Sequence, residues 1–541
     1  MTSHQDEENA PSAWAPFANT GFALLWSATL ISNVGTWMHD VGAGWLMTTL
    51  APSPAIVSLV QAANTFPIFL FALLAGALAD RVDRRRLLLT INVVLLGVVA
   101  MLALLVHLQR MTPGLLLLFT LAIGTGTAFM APAWQSVVPT LVPRAQLKSA
   151  IALNSLSVNI SRAIGPALAG VLLGSGILAA PFAVNALSFV AIIAALLLWR
   201  PAPSRGNGLP PEAIVSAMVT GLRHVSFNQP LRHTMTRTGA FCFFAAAYWA
   251  LLPVVARAVP GADAGFYGIL LGAVGTGAVA GALILPKLRK KIAADWLVLH
   301  GTLGTVPALL VYAFVDDRTA LVAASTLAGF GWITVLTCLN VSAQTALPDW
   351  VRARGLAVYM MVLFGSLSLG SALWGQVAAL SSNGSALASA AVLLVVMVPL
   401  TWHAKLGRGE HMDLSPSSWW PTPIVSDTLG DLADRGPVLV TVAYTVMPYE
   451  QAEFLREIRK LSTERYRDGA YVWGIYQDLE HPDDWLEWFQ LPSWNEHLRQ
   501  HQRATVHGRD VQERVRKFHR GSGEPIVRHL AAPASRTGGD L

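Results

Sequence analysis

Charged side chains are scarce in this sequence, and their scarcity excludes an ordinary soluble protein. Only 13% of the 541 residues are Asp, Glu, Lys or Arg, whereas 53% are hydrophobic. Soluble domains carry about 25% charged residues. Most of the chain is therefore made of segments that need an apolar surrounding.

Cysteine is also rare, and other functional patterns are missing. Cys242 and Cys338 lie inside apolar runs without metal-ligand spacing, so we expect neither a disulfide framework nor a cysteine metal site. The phosphate-binding pattern GxxxxGK[ST] does not occur, so ATP is not the expected energy source. The acidic start, MTSHQDEENAPSAWAP, has no basic region typical of a secretory signal, and we expect residues 1–17 to be a cytoplasmic tail. No cofactor is expected.

Long apolar runs fill the chain up to residue 405. A helix needs about 20 apolar residues to cross a bilayer, and twelve runs are long enough to do so. They lie near residues 19–48, 54–79, 87–108, 114–138, 149–174, 179–199, 235–257, 265–286, 294–314, 319–346, 355–379 and 385–404. The runs predict an all-α membrane protein with twelve transmembrane helices, in contact with the lipid bilayer.

Basic residues concentrate in alternate connections between these runs. The richer set of connections contains Arg81, Arg84, Arg85, Arg86, Arg144, Lys148, Lys287, Arg289, Lys290, Lys291, Arg352 and Arg354, and the poorer set Arg110, Arg257 and Arg318. The positive-inside rule places the richer set and both termini in the cytoplasm. The basic excess thus follows the topology of a multi-pass protein of the cytoplasmic membrane, and nucleic-acid binding is not expected.

Two of the basic connections have similar sequences. GALADRVDRRR (Gly76–Arg86) and GALILPKLRKK (Gly281–Lys291) each follow the second run of a set of six. The central loop, residues 201–232, separates the two sets and contains a predicted amphipathic surface helix at Glu212–His224. Together these features predict two duplicated six-helix halves, residues 18–200 and 233–405, which is a known plan of transporters. The alternative is that any cytoplasmic loop is basic.

GALADRVDRRR resembles the loop between the second and third helices of the major facilitator superfamily. RAIGPALAGVLLG (Arg162–Gly174) resembles the fifth-helix signature of its exporters. SNVGTWMHDVGAGWLM and APAWQSVVPTLVPRAQL are similar to the transmembrane secretion effector group, which includes enterobactin-exporter-like proteins. The resemblance covers roughly residues 15–405. It implies secondary active, proton-coupled efflux of small hydrophobic, drug-like or siderophore-like molecules by alternating access.

The resemblance also assigns two groups of residues. It implies a cytoplasmic gate in the first basic loop and an exporter motif in the fifth helix. The gate residues are Gly76, Asp80, Arg81, Asp83, Arg84 and Arg85, and the motif residues are Gly165, Pro166 and Gly170. For Asp80 the alternative is a solvated helix cap. The second loop lacks the Asp, so we do not expect the two loops to gate alike. Gly76, Gly272, Gly275, Gly277 and Gly281 are expected to permit close helix packing.

Two charges lie deep in predicted spans. Asp40 is inside the first run and Arg162 inside the fifth. A charge at a helix centre costs at least about 2.5–3.5 kcal/mol in hydrocarbon, so such residues usually face a cavity. We expect Asp40 to carry the coupling proton and Arg162 to set its affinity or to bind an anionic group, with Asn33, Asn159 and Gln135 lining the substrate cavity. The alternative is a structural ion pair near a helix end.

After Lys405 the composition becomes that of a soluble domain. Residues 406–436 read as a linker, and residues 437–541 have the order β-α-β-β-α-β of a ferredoxin-like fold. This tail resembles the dimeric α+β barrel domains related to antibiotic-biosynthesis monooxygenases, which implies a homodimer or ligand sensing. His481, His497, His501 and His507 lack a metal-site pattern, and EHLRQH is equally typical of a solvated helix face, so no metal is expected. The chain is expected to be a transporter and not an enzyme; the alternatives are a membrane-anchored sensor and a transporter–enzyme fusion.

Overall fold

The computed structural model describes Ser12, Gly409 and residues 14–79, 82–199, 214–407, 412–417 and 435–532. The chain divides into two compact units. The membrane unit comprises Met1–Ile214, Thr234–Val341 and Tyr359–Leu406, and the second unit comprises Val215–His233, Ser342–Val358 and Gly407–Leu541. The tail is thus grouped with two connections of the helical region. The predicted domain bounds stay a prediction.

Each of the twelve predicted spans is a helix; eleven agree with their predicted bounds within three residues, and α8 begins six residues earlier than predicted. They are α1 (Thr20–Leu50), α2 (Pro54–Ala79), α3 (Arg84–His107), α4 (Pro113–Val137), α5 (Leu147–Gly174), α6 (Ala180–Leu198), α8 (Gln229–Ala258), α9 (Ala264–Arg289), α10 (Ala294–Phe314), α11 (Arg318–Thr345), α12 (Arg352–Leu380) and α13 (Asn383–Thr401). Helix α7 (Ile214–Phe227) lies between the two sets of six. Among the described residues, eleven helices are long and apolar enough to cross a membrane. Helix α1 is not among the eleven; it has 31 residues and contains His39 and Asp40.

Polar residues begin several of these helices where the sequence changes from loop to apolar run. Thr112 accepts a hydrogen bond from the Leu115 amide (3.3 Å), immediately before Pro113 at the first position of α4. Asp263 accepts one from the Phe266 amide (3.0 Å) at the start of α9. Such caps satisfy amide groups that the first helical turn leaves without partners. They explain why these helices begin where they do.

The two six-helix sets meet along several helix pairs, including the following two. Helix α5 packs against α9, and α2 contacts α12, where the Ser368 hydroxyl donates to the Ala62 carbonyl over 3.2 Å. Within the first set, α1 packs against α5 and α6, and α2 against α4. The membrane unit is therefore an all-α bundle in which the predicted halves share interfaces.

The tail is an α+β domain with a four-stranded antiparallel sheet. Its elements are β1 (Val438–Thr445), α14 (Gln451–Asp468), β2 (Val472–Gln477), β3 (Asp484–Leu491), α15 (Trp494–Arg503), α16 (Val506–Arg516) and β4 (Ile526–Ala531). The strand order is β2-β3-β1-β4, with Val442 opposite Glu487 and Val440 opposite His529. Order and pairing are consistent with the predicted ferredoxin-like domain.

One face of the sheet packs on the helices. Strand β1 alternates between buried and half-buried residues, which is the pattern of a sheet covered on one side. Val442 and Tyr444 join Phe454 and Ile458 of α14 and Val515 of α16 in the main tail core. The spacing of Phe454 and Ile458 places both on one helix face, so the sequence pattern accounts for the core.

Helix α7 is held against the tail. The Arg223 guanidinium donates to the Gly469 carbonyl (2.7 Å), and the His224 Nδ1 lies 3.2 Å from the Arg467 carbonyl. Phe227 stacks on Tyr466, with ring centroids 4.5 Å apart. Burial, with Arg467 as a second cause, lowers the pKa of His224 to about 3. The predicted amphipathic helix exists, and its neutral His224 is buried against the tail. Glu212, the predicted start, lies outside the described residues.

The connection between α11 and α12 belongs to the same unit. The Asn228 amide donates to the Ala346 carbonyl over 2.7 Å. Trp350 makes an edge contact with His224 (ring centroids 5.3 Å apart), and the Arg503 guanidinium of α15 lies over the Trp350 ring at 4.5 Å. The tail therefore contacts both α7 and the connection formed by Ser342–Val358.

Candidate functional site

Arg162 lies near the middle of α5, with its side chain half-buried in the bundle. Among the described residues its side chain makes no hydrogen bond or ion pair, and its Nε is buried without a partner. Its guanidinium lies over the ring of Trp37 on α1 at 5.4 Å, a distance at which a cation is attracted to an aromatic face. A cation in this position needs a compensating anion or water, because an unpaired buried charge is costly.

Aromatic side chains of the second half lie near Arg162. Tyr248 on α8 interacts electrostatically with Arg162. Tyr248 and Trp249 have ring centroids 5.2 Å apart, and Trp249 lies 5.4 Å from Trp332 on α11. The sequence analysis missed Trp332. A lone Trp inside an apolar run gave no signal that it would join this cluster.

Asp40 and Arg162 form no ion pair within the described part of the chain. The electrostatic neighbour of Asp40 is Tyr267 on α9, and that of Arg162 is Tyr248. His39 is buried and packs edge-on against Phe182 of α6, with ring centroids 5.1 Å apart. Consecutive residues thus contact different helices. The two charges occupy separate surroundings, and a shared substrate stays a prediction.

The three predicted polar residues are not joined into one network. The side-chain amide of Asn159 donates to the Ser155 carbonyl of its own helix over 2.9 Å. Gln135 is exposed and Asn33 is half-buried. None of the three has a hydrogen bond to Asp40 or Arg162 in the described residues. Their placement in the substrate cavity stays a prediction.

The fifth-helix motif lies where helices approach most closely. A methyl group added at Gly170 would be 3.1 Å from the Gly268 Cα of α9, and one at Gly165 would be 2.5 Å from the Trp37 Cβ of α1. A methyl group at Gly275 would be 2.7 Å from the Arg162 carbonyl. Pro166 lies inside α5, in the same contact region. The motif lets α5 contact α1 and α9 through backbone and holds Arg162 at this junction.

Not every glycine expected to pack closely does so. Gly277 and Gly281 of α9 face α11 at Thr326 and Ile333, without room for a methyl group. Gly272 has one ordinary contact, with the Ala163 carbonyl of α5 at 3.9 Å, and at Gly76 no described residue outside its own helical turn lies within 4 Å of an added methyl group. Among the described residues, no atom of another helix lies closer than 3.9 Å to a methyl group added at Gly76 or Gly272, so the close-packing expectation is wrong for these two glycines.

The described part of the predicted gate loop braces helix ends. Asp83 caps α3 by accepting from the Arg86 amide (2.7 Å). The Arg84 guanidinium donates to the Ser136 carbonyl of α4 (3.2 Å), and Arg85 donates to the Leu196 carbonyl of α6 (2.7 Å). Cations near the carboxyl ends of helices are favoured by the helix dipole. Asp80 and Arg81 lie outside the described residues, so their gate role stays a prediction.

A link at the other end of the bundle was missed by the sequence analysis. The Arg257 guanidinium at the end of α8 donates to the hydroxyls of Thr48 (2.9 Å) and Thr49 (3.1 Å) at the end of α1. Trp45 stacks on Tyr267 of α9, with ring centroids 6.2 Å apart. These contacts join the two halves. The sequence signal was Arg257 itself, a charge in a connection that is otherwise poor in basic residues.

The model of the transmembrane secretion effector family matches residues 11–537, which include the tail. Similar curated proteins include the staphyloferrin A transporter of Staphylococcus aureus, 26% identical over 359 residues that cover 64% of this chain and 87% of that protein. The enterobactin exporter EntS of Salmonella typhi is 26% identical over 394 residues, which cover 70% of this chain and 92% of the exporter.

Solved structures share the helical fold. A bacterial homologue of the human lysosomal transporter Spinster, in an inward-facing and unoccupied conformation, has a TM-score of 0.58 and 14% identity. That match covers 72% of this chain and 97% of the homologue. The nucleoside transporter NupG has a TM-score of 0.54 and 10% identity, over 71% of this chain and 98% of NupG. At these identities the likeness shows the fold alone.

Proposed function

The chain belongs to the transmembrane secretion effector family of the major facilitator superfamily, and on this premise we propose that it exports siderophore-like molecules in exchange for protons. It is a multi-pass membrane transporter with a transporter fold. Two of its relatives are named for staphyloferrin A and enterobactin, which makes siderophore-like molecules the favoured substrate class. In this proposal both termini are cytoplasmic, the protein lies in the cytoplasmic membrane, and the chain has no enzymatic activity of its own.

The observation that carries the proposal is the unpaired Arg162. An intramembrane cation is costly unless it faces a cavity or a partner, and no acidic side chain in the described residues pairs with it. An acidic oxygen of the substrate can supply the missing negative charge through charge-assisted hydrogen bonds. Trp37, whose ring lies 5.4 Å from the guanidinium, offers apolar and stacking surface for the rest of the substrate. This favours an anionic substrate with a flat apolar part over an uncharged drug.

Asp40 is proposed to carry the proton. It is the acidic residue deepest in α1, and its neighbour Tyr267 belongs to the other half. Because the halves move relative to each other in alternating access, separation of Tyr267 from Asp40 changes the surroundings of the carboxyl group. A change in surroundings changes proton affinity. Proton release and substrate movement can thus be linked through the contact between α1 and α9.

The proposal is tested with inverted membrane vesicles, using enterobactin and staphyloferrin A as probes. We expect accumulation of one probe when a proton gradient is imposed, and a loss of accumulation when the gradient is collapsed. Arg162→Gln should raise the KM by about 10–100-fold, since an ion-paired hydrogen bond contributes about 1.5–3 kcal/mol. Arg110→Gln, at an exposed connection, is the matched control and should transport normally.

Asp40→Asn separates coupling from binding. We expect this variant to bind the probe with unchanged affinity but to lose accumulation driven by the proton gradient. Accumulation equal to that of the wild-type protein would remove Asp40 from the coupling role. If neither probe moves, comparison of the metabolites secreted by cells with and without the protein identifies the substrate, and no difference in any metabolite would favour a sensor.

The tail is proposed to form a homodimer through its open sheet face. Tyr476, Leu486, Ile526 and Leu530 point to the side of the sheet away from the helices and are 62%, 41%, 62% and 50% exposed. An exposed apolar face of this kind usually marks an interaction surface. We expect Ile526→Glu with Leu486→Glu to convert a detergent-purified dimer into a monomer in size-exclusion chromatography with light scattering. A wild-type monomer at all concentrations would contradict the dimer.

A further inference from the structure

Three histidines of the tail converge although they are distant in sequence. His497 and His501 lie one turn apart on α15, and His529 lies on β4. The ring centroids of His497 and His501 are 4.7 Å apart, as are those of His497 and His529. One ring nitrogen from each of the three can be chosen so that all lie within 4.8 Å of one another. Three convergent imidazoles are the ligand set of an open zinc site.

The spacing of two of these nitrogens matches metal coordination. The Nε2 atoms of His497 and His501 are 3.2 Å apart. Two nitrogens bound to a tetrahedral zinc ion at 2.0–2.1 Å are about 3.3–3.4 Å apart. The nitrogen of His529 must approach by about 1–2 Å to complete the same geometry. His529 lies on the edge strand β4.

Neighbouring groups prepare the imidazoles for a cation. His497 Nδ1 lies 3.3 Å from the side-chain oxygen Oε1 of Gln500, so an Nδ1 proton can be donated to Gln500, which leaves the Nε2 lone pair for a metal. Such a second partner commonly fixes the tautomer of a ligating histidine. Without metal, one proton lies between the Nε2 atoms of His497 and His501. When a metal ion binds both Nε2 atoms, the proton of the His501 ring is carried by its Nδ1 atom instead.

The arginine that interacts with the cluster already has a counter-ion. Arg465 interacts electrostatically with His497 and His501, which by itself opposes binding of a dication. Its guanidinium is paired with the buried Glu487, with Nε and Oε1 3.0 Å apart. Trp494 covers the cluster, with ring centroids 5.3 Å from His497 and 6.1 Å from His529. The cluster is therefore partly shielded from water and lies beside an arginine that already has its counter-ion.

We propose that His497, His501 and His529 bind a divalent first-row transition metal, with zinc as the representative ion. Imidazole ligands suit zinc, copper and nickel rather than magnesium or calcium. Three protein ligands leave one coordination position for water or a further ligand. The histidine pair on α15 was noticed in the sequence and rejected as a metal site. The third ligand, which is what makes the set complete, becomes apparent only through the pairing of β4 with β1.

The test uses the full chain, purified in detergent without a polyhistidine tag and stripped of metal. We expect one zinc ion per chain at micromolar free zinc, by equilibrium dialysis and elemental analysis, and a rise in the unfolding temperature of the tail. His529→Gln should weaken zinc binding by more than about 100-fold, since loss of an outer-shell partner alone costs 10–100-fold. His507→Gln, on α16 and outside the cluster, should bind as the wild-type protein does.

A second variant distinguishes ligand loss from misfolding. His501→Gln and His529→Gln should keep the unfolding temperature of the metal-free wild type and lose only the rise that zinc produces. Cobalt, used as a coloured substitute for zinc, should give a tetrahedral visible spectrum in the wild type and none in His529→Gln. Zinc affinity equal in wild type and His529→Gln, or fewer than one ion per chain, would overturn the proposal.

Discussion

Glu487→Gln is the substitution whose consequence follows most directly from the structure. Glu487 is fully buried on β3, and its two carboxylate oxygens accept from four donor atoms. The Arg465 Nε and the Trp473 Nε1 donate to Oε1, each over 3.0 Å, while the Arg465 Nη2 (3.3 Å) and the Tyr444 hydroxyl (3.1 Å) donate to Oε2. Glutamine has nearly the same shape, but it replaces one acceptor oxygen with a donor and removes the charge that compensates Arg465.

The magnitude follows from the loss of one partner of a buried ion pair. Such a loss costs about 3–5 kcal/mol, because the remaining charge is buried without compensation. At about 1.36 kcal/mol per factor of ten, this corresponds to roughly 150–5000-fold in the equilibrium for opening the tail. Replacing both partners by apolar residues, as in Arg465→Met with Glu487→Leu, should cost much less, since no charge is left unpaired.

Hydrogen exchange by mass spectrometry on the full chain in detergent measures this quantity. Amides of β1 and β3 should exchange faster in Glu487→Gln by the factor given above, provided they exchange through opening of the domain. Glu513→Gln on α16 is the control, because Glu513 is exposed and its contact with Arg509 spans 3.6 Å. An acceleration of less than about tenfold in Glu487→Gln would refute the argument that the pair holds the sheet to α14.

Three further substitutions test other parts of the structure. Burial, reinforced by Glu464, raises the pKa of Asp468 to about 7. Folding therefore favours the protonated carboxyl group, and its contribution to the stability of the tail should be complete below about pH 4. This contribution should be lost as the pH rises to about 7. Asp468→Asn should abolish this dependence in urea unfolding followed by pulse proteolysis, and a flat wild-type profile would contradict it. Gly275→Ala should destabilise the membrane unit by about 1–3 kcal/mol through overpacking and lower its unfolding temperature in detergent, whereas Gly272→Ala, with one contact at 3.9 Å, should not. Arg257→Gln should increase the population of molecules in which α1 and α8 are separated at this end by about fivefold, because roughly 1 kcal/mol of hydrogen bonding is lost at a partly exposed site. Unchanged distances between spin labels on the two helix ends would refute the role of this link.

The helices could be predicted because their signals are local. Apolar runs and basic connections define eleven of the twelve spans within three residues. The tail strands followed from alternation and turn residues in the same way. Helix α7 shows the limit: its amphipathic pattern predicted a helix, but a local pattern does not distinguish a membrane surface from a protein surface. The contact of His224 with the Arg467 carbonyl depends on residues 243 positions apart.

The candidate site was only partly predictable for the same reason. A charge inside an apolar run is visible in the sequence, so Arg162 and Asp40 were found. Their partners were not, because Tyr248 and Tyr267 lie on helices of the other half. Whether Asp40 and Arg162 face a cavity or form an ion pair depends on how the helices pack. The glycines of α5 and α9 determine this packing. His529 was overlooked because a single histidine in a strand carries no metal-site pattern.

Helix α15 connects the inferences about the tail. It presents His497 and His501 toward β4, while Arg503, near its end, donates to the Asp468 carbonyl (3.0 Å) and lies over Trp350. Trp350 belongs to the connection between α11 and α12, both of which are helices of the second half. An ion that holds α15 to β4 would therefore reduce the freedom of the helix that contacts this connection.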